Sequence, residues 1–294
     1  MSRAIPLALI PGSLLAQRPI TPRDVDTMPS RPPTARIAYG TDSLQFGDLR
    51  MPEGRGPFPV AIIIHGGCWL SRFASLTIMS PLADALAKDG IATWNLEYRR
   101  NDNPGGGWPG SFLDVAHGVD HIRELARKYP LDTTRVAITG HSAGAHLALW
   151  AAARPRVRSG SAIATAAPFH PLVTIPLGGP GDMAEITQRE KTICGATPSA
   201  SGVMGGMPAD VPEHYRDGSP ISLLPFGVKQ VLIVGQQDGV MPAAVREAWI
   251  ARAREAGDDA TIVLVAGGHF ELLAPEHESG RSVRRAIADL LRMK

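Results

Sequence analysis

The chain has 294 residues, 44% apolar and 20% charged, and its 30 basic and 28 acidic side chains leave a net charge of +2. This is the composition of a water-soluble globular protein, long enough for one large α/β domain or two small ones. No run approaches the ~18 unbroken apolar residues of a membrane-crossing helix. The balanced charge gives no reason to expect a nucleic acid or a membrane surface as partner. Two cysteines, Cys68 and Cys194, are too few for a disulfide framework or a four-ligand zinc site.

At the N-terminus, Arg3 precedes an apolar run from Ala4 to Ala16 that ends in Leu14-Leu15-Ala16. The layout is that of a secretory signal and leans towards export. Pro6, Pro11 and Gly12 interrupt the helix such a segment should form, so the alternative is an apolar extension of a cytoplasmic protein. Residues 17–34 are rich in Pro, Arg and Asp without periodicity and read as an irregular lead-in. Residues 1–34 are therefore set apart from a single domain spanning 35–294.

From residue 35 strands and helices alternate. Residues 36–39 and 44–49 flank Gly40-Thr41-Asp42 as a short antiparallel pair. Residues 60–64 are wholly apolar, as in a strand buried on both faces. A helix over 76–88 and a strand over 91–96 follow, then a Gly-rich loop, a helix over 114–128, a strand over 135–140 and a helix over 143–153. Further strands are expected at 161–166, 229–235 and 261–266, with helices at 243–256 and 282–291. Such alternation predicts βαβ units around an eight-stranded, mostly parallel sheet. Residues 168–225 break the rhythm with Gly, Pro, Met and Ser and read as a small cap or excursion.

The chemistry concentrates at Gly140-His141-Ser142-Ala143-Gly144, placed between an expected strand and an expected helix. That is the setting of a nucleophile elbow, whose flanking glycines let a sharp turn expose the Ser142 hydroxyl. A serine nucleophile needs a general base oriented by a carboxylate, in the chain order Ser, Asp or Glu, His. Asp238 follows the strand at 229–235 and His269 the strand at 261–266, both in the loops that order demands. Glu271 and His277 are the nearest alternatives. For the oxyanion, the amide of Ala143 follows the nucleophile, and His65-Gly66-Gly67-Cys68-Trp69 follows the early buried strand. Gly67 and Cys68 supply the other donors in this reading, with His65 ordering their loop.

These motifs together resemble the α/β-hydrolase superfamily, and within it the esterase and kynurenine-formamidase-like branch that includes bacterial feruloyl-esterase-like proteins. Glu97-Tyr98-Arg99-Arg100, Gly107-Trp108-Pro109-Gly110 and Ser219-Pro220 are further shared landmarks. The resemblance implies an α/β-hydrolase fold and a serine hydrolase needing no cofactor, in a branch that handles esters and amides of several kinds; a small-molecule ester is the expected substrate. Two departures stand out: Cys68 before Trp69, and Ala145-His146 after the elbow.

Trp69, Trp108, His141 and Phe270 are candidates for lining the substrate pocket. His117 and His121 share a helical face, but no acidic or Cys ligand accompanies them, so no metal is expected. Glu97 and Arg99 read as structural polar contacts. Cys68 and Cys194 read as free thiols that pair only if the chain is exported. A serine carboxylesterase for short to medium acyl or aryl esters is the leading function. An arylformamidase, a small peptidase or amidase, and a non-catalytic binding protein of the same fold are the alternatives.

Overall fold

The apolar run at residues 60–64 becomes the middle of a sheet. In the computed structural model, which describes residues 18–292, it forms β3 (Phe58–Ile64), with Val60 through Ile64 fully buried. Its side chains alternate, Val60, Ile62 and Ile64 entering one core and Ala61 and Ile63 the other. A strand covered on both faces needs no polar positions, hence the unbroken apolar sequence. The N-terminal run at 4–16, with its candidate cleavage site, lies outside the described residues.

The other strands are β1 (Ala35–Ala38), β2 (Phe46–Arg50), β4 (Ala92–Leu96), β5 (Leu131–His141), β6 (Val173–Leu177), β7 (Lys229–Gly235) and β8 (Ala260–Val265). They form one eight-stranded sheet in the order β1-β2-β4-β3-β5-β6-β7-β8. β2 runs antiparallel to β1 and β4, and every other pairing is parallel. The mostly parallel sheet matches the expectation, with one strand displaced.

Residues 161–166 form turns, with Ile163 alone buried, and the sixth strand is β6, inside the stretch expected to hold none. Pro176 hides β6 from a reading by propensity, because proline has no N–H for the ladder. The pairing with β7 accordingly runs through Val173, Thr174 and Leu177. The excursion proper comes after β6.

Helices cover both faces. α1 (Pro22–Asp26), α2 (Ser80–Lys88) and α10 (Glu278–Arg292) place Val25, Leu82, Leu86, Val283 and Ile287 in the core with Ala61 and Ile63. On the other face lie α3 (Gly110–Asp120), α4 (Ile122–Ala126), α5 (Ala143–Ala153) and α9 (Ala243–Glu255). The single helix expected over 114–128 is thus two, parted at His121. α5 is apolar on every side apart from His146, whose ring bonds the Gly218 carbonyl, and every residue of it is buried, as a helix enclosed on all sides requires. Beyond β6 the chain forms α6 (Met183–Cys194), α7 (Ala200–Met204) and α8 (Pro212–Gly218). No helix among the described residues is long and apolar enough to cross a membrane.

The lead-in is also more regular than its composition suggested. Thr21 caps α1 reciprocally: its Oγ1 accepts from the Asp24 amide (3.3 Å), and Asp24 Oδ2 accepts from the Thr21 amide (2.8 Å). The run Thr21-Pro22-Arg23-Asp24 carries a start signal, a capping pair with proline at the first helical position.

Candidate active site

β5 ends at His141 and α5 begins at Ala143, so Ser142 is the whole turn between them, at φ 55°, ψ −119°. Left-handed backbone is costly for a residue with a Cβ and is held here by close packing. A Cβ on Gly140 would stand 2.2 Å from the Gly144 carbonyl oxygen, and one on Gly144 would stand 2.2 Å from the Ile64 oxygen. The flanking glycines are therefore required by space. The Ser142 amide donates to the Leu177 carbonyl at 2.9 Å, tying the elbow to β6.

Asp238 follows β7 and His269 follows β8, in neighbouring loops at the sheet's edge. His269 Nδ1 donates to Asp238 Oδ2 at 2.9 Å, leaving Nε2 as the free ring nitrogen. Asp238 is 3% exposed, and its other oxygen accepts from the amides of Val240 (2.8 Å) and Met241 (3.3 Å). Burial pushes the Asp238 carboxyl up. The hydrogen bond and charge of His269 and the Val240 amide outweigh it and hold the group below the usual carboxylate range. Ser142 and His269 open on the same cavity of about 520 Å³. Glu271 and His277 lie elsewhere: Glu271 accepts from the amides of Ile20 and Gly268, and His277 sits at the start of α10 beside Ser279.

Gly67 and Cys68 line the same cavity, at φ 97° and 54°. Ala143 borders Ser142 and Cys68 in a small adjoining crevice. Among the described residues, no backbone acceptor takes the amides of Gly67, Cys68 or Ala143 in the loops and turns. His65 orders the loop behind them, with Nε2 2.8 Å from Glu97 Oε1, Nδ1 2.9 Å from the Gly66 carbonyl, and its ring stacked 4.3 Å from Tyr98. Burial would raise Glu97, but His65, Arg100 and the Tyr98 amide together bring it down to about 2. Arg99 pairs with the buried Asp114 (2.6 Å), so both landmark charges serve the loops under the site.

Of the four aromatic candidates, Phe270 and His141 line the cavity. His141 is buried and donates from Nε2 to the His269 carbonyl at 2.9 Å. Burial and the neighbouring His269 push it down to about 3, so it stays neutral. Trp69 and Trp108 depart from the expectation. Trp69 is 2% exposed, packs edge-on against His146, and borders only the crevice. Trp108 stacks on His214 at 4.1 Å and abuts Phe112, away from the cavity. A position near a Gly-rich loop did not tell which way these rings face.

Cys68 and Cys194, expected as free thiols, form a disulfide with Cα atoms 6.0 Å apart, which bolts the end of α6 to the Gly67–Cys68 loop. Gly178 also escaped the sequence reading. It sits at φ 55° after β6, where a Cβ would lie 2.5 Å from Asp238 Oδ2 and 3.2 Å from His269 Nδ1. The pair Gly178-Gly179 is a signal only once the strand before it, β6, is known. Among the described residues no group of three or more His, Cys, Asp or Glu is placed to hold a metal ion.

The BD-FAE family model matches residues 48–248. The chain is 28% identical over 247 residues to "Esterase LipQ" of Mycobacterium tuberculosis, covering 79% of this chain and 55% of that protein. It is 26% identical over 266 residues to "Esterase LipC" of the same organism, covering 81% of this chain and 60% of that one. It thus spans between half and two thirds of the length of these relatives. Among solved structures, a truncated carbohydrate esterase from gut microbiota superposes with a TM-score of 0.72 at 22% identity, covering 88% of this chain and 95% of that one. The fold is that of the α/β-hydrolases.

Proposed function

We propose that this chain, which belongs to the BD-FAE family, is a serine hydrolase of carboxylic esters working through an acyl-enzyme. The observation that carries the reading is one apolar cavity onto which Ser142 and His269 both open, with buried Asp238 on the far nitrogen of His269. In this reading Ser142 Oγ attacks the acyl carbon, and His269 Nε2 takes the hydroxyl proton. The carbonyl electrons pass to oxygen, where the amides of Gly67, Cys68 and Ala143 hold the charge. Collapse expels the alcohol, protonated by His269. Water then attacks the acyl-serine with His269 again as base, releasing the acid and restoring Ser142. Asp238 keeps Nδ1 protonated and stabilises the transient imidazolium.

The cavity walls point to the substrate class. Phe73, Ile78, Ile193, Val240 and Phe270 contribute apolar surface, and among the described residues no Lys, Arg, Asp or Glu lines it. A formylated aromatic amino acid would bring a charged end into a cavity with no ionic partner. Uncharged acyl or aryl esters of short to medium length fit without that cost. The Cys68–Cys194 bond supports an oxidising compartment and with it the export reading. Residues 35–294 act as one domain in this proposal. The test is turnover of p-nitrophenyl esters of graded length against N-formylkynurenine, in unaltered protein and in Ser142→Ala. Preference for N-formylkynurenine over every ester would replace this substrate class, and turnover by Ser142→Ala would remove the mechanism.

A further inference from the structure

The lead-in before β1 reaches the cavity. Pro22, the first residue of α1, lines it together with Phe73, Ala74 and Ile78. Three attachments hold this segment down. Val25 is fully buried in the core that contains Ile78 and Leu82. Arg31 pairs with the buried Asp84 at 2.7 Å. The third is Glu271, a carboxylate only 5% exposed that the hydrolytic mechanism does not use. One of its oxygens accepts from the Ile20 amide (2.9 Å), and the other accepts from the amide of Gly268 (3.1 Å), the residue before His269. A single buried side chain thus joins the lead-in to the loop that carries His269. Truncating it would leave two half-buried amides without this acceptor, so opening the link carries a cost. Both partners lie outside the segment matched by the family model, 48–248.

Resting on the serine-hydrolase reading, we propose that the α1 segment, through Pro22, forms the wall that limits the length of the ester chain accepted. Glu271 is the positioning residue that locks this wall to the His269 loop. The geometry makes two demands of opposite sign. A larger side chain at position 22 shortens the cavity from that wall, and release of the Glu271 link lets the wall swing out and lengthens it. Arg23, one residue further along α1, is already exposed, and loosening the segment frees its helical backbone for cleavage by a protease.

The test uses the full chain with Pro22→Trp and Glu271→Gln, the latter replacing one acceptor oxygen with an NH2 donor. KM and kcat are measured for p-nitrophenyl acetate, butyrate, octanoate and dodecanoate, and trypsin cleavage after Arg23 is followed by mass spectrometry. Pro22→Trp should raise KM for octanoate relative to acetate about tenfold, the change expected when roughly two methylenes lose their burial. Glu271→Gln should raise the dodecanoate-to-acetate ratio of kcat/KM and speed cleavage after Arg23. An unchanged long-to-short ratio in Pro22→Trp overturns the wall, and unchanged Arg23 cleavage in Glu271→Gln overturns the lock. Ser142→Ala, assayed alongside, separates these failures from failure of the hydrolase reading, because only the latter leaves that variant active.

Discussion

Breaking the Cys68–Cys194 bond removes a crosslink that closes a loop of 126 residues. In the chain-entropy account, closing a loop of that length lowers the entropy of the unfolded chain enough to stabilise the fold by about 5 kcal/mol at 25 °C. Residual structure in the reduced unfolded chain makes that an upper figure. Unfolding of a chain this size carries an entropy of about 0.6 kcal/mol per degree, so the melting temperature should drop by up to about 8 °C. The bond also holds Cys68, whose amide the mechanism assigns to the oxyanion, so kcat should fall more than KM rises. The assay is calorimetry and steady-state kinetics on the Cys68→Ser/Cys194→Ser protein beside the oxidised one, with thiols titrated in both. A melting temperature unmoved by the double replacement, with no free thiol in the parent, would refute the entropic reasoning. Two titratable thiols in the folded parent would refute the bond itself.

Gly178→Ala places a Cβ 2.5 Å from Asp238 Oδ2 and must push that carboxylate off His269. The expected loss is about 10²-fold in kcat with little change in KM, measured on p-nitrophenyl butyrate. Asp238→Asn keeps the shape of the pair but favours the wrong His269 tautomer, and turnover at neutral pH should fall about 10⁴-fold. Glu97, held at about 2 against an ordinary 4.5, contributes stability that is fully present above pH 4.5 and is lost as pH falls towards 2. That contribution is on the order of 3 kcal/mol. Denaturant midpoints taken from pH 6 down to 2 should decline over that window and decline less in Glu97→Gln. Neutral His141 anchors the His269 backbone by a hydrogen bond, so His141→Phe should lower kcat while leaving the shape of the pH profile above 5 unchanged.

Much of this architecture could be read before any coordinates because it is written in local patterns. Seven of eight strands were legible, the first two as a pair flanking Gly40-Thr41-Asp42 and the others from apolar runs, and the Gly140–Gly144 motif lies between a strand and a helix. The pairing of Asp238 with His269 was legible because each sits immediately after a strand, in the chain order proposed for partners of an elbow serine. What escaped depends on contacts remote in sequence. The Cys68–Cys194 pairing joins positions 126 apart, and no spacing rule connects them. Glu271 looked like a spare acid and instead bridges two amides, one of them at Ile20. Trp69 and Trp108 sit beside the right loops but turn into the packing, which composition cannot reveal. β6 was hidden by Pro176, and the capping pair of α1 was overlooked amid prolines and charges.

The central claim is that Ser142 becomes covalently acylated. Incubating the protein with diethyl p-nitrophenyl phosphate traps such a serine as a stable phosphoryl ester, because attack expels p-nitrophenol and leaves the diethylphosphoryl group on oxygen. Peptide mass spectrometry should find one equivalent of that group on Ser142, with turnover lost in proportion to labelling. Full inactivation with the label on another residue, or an unlabelled Ser142 in protein that still turns over esters, would contradict it.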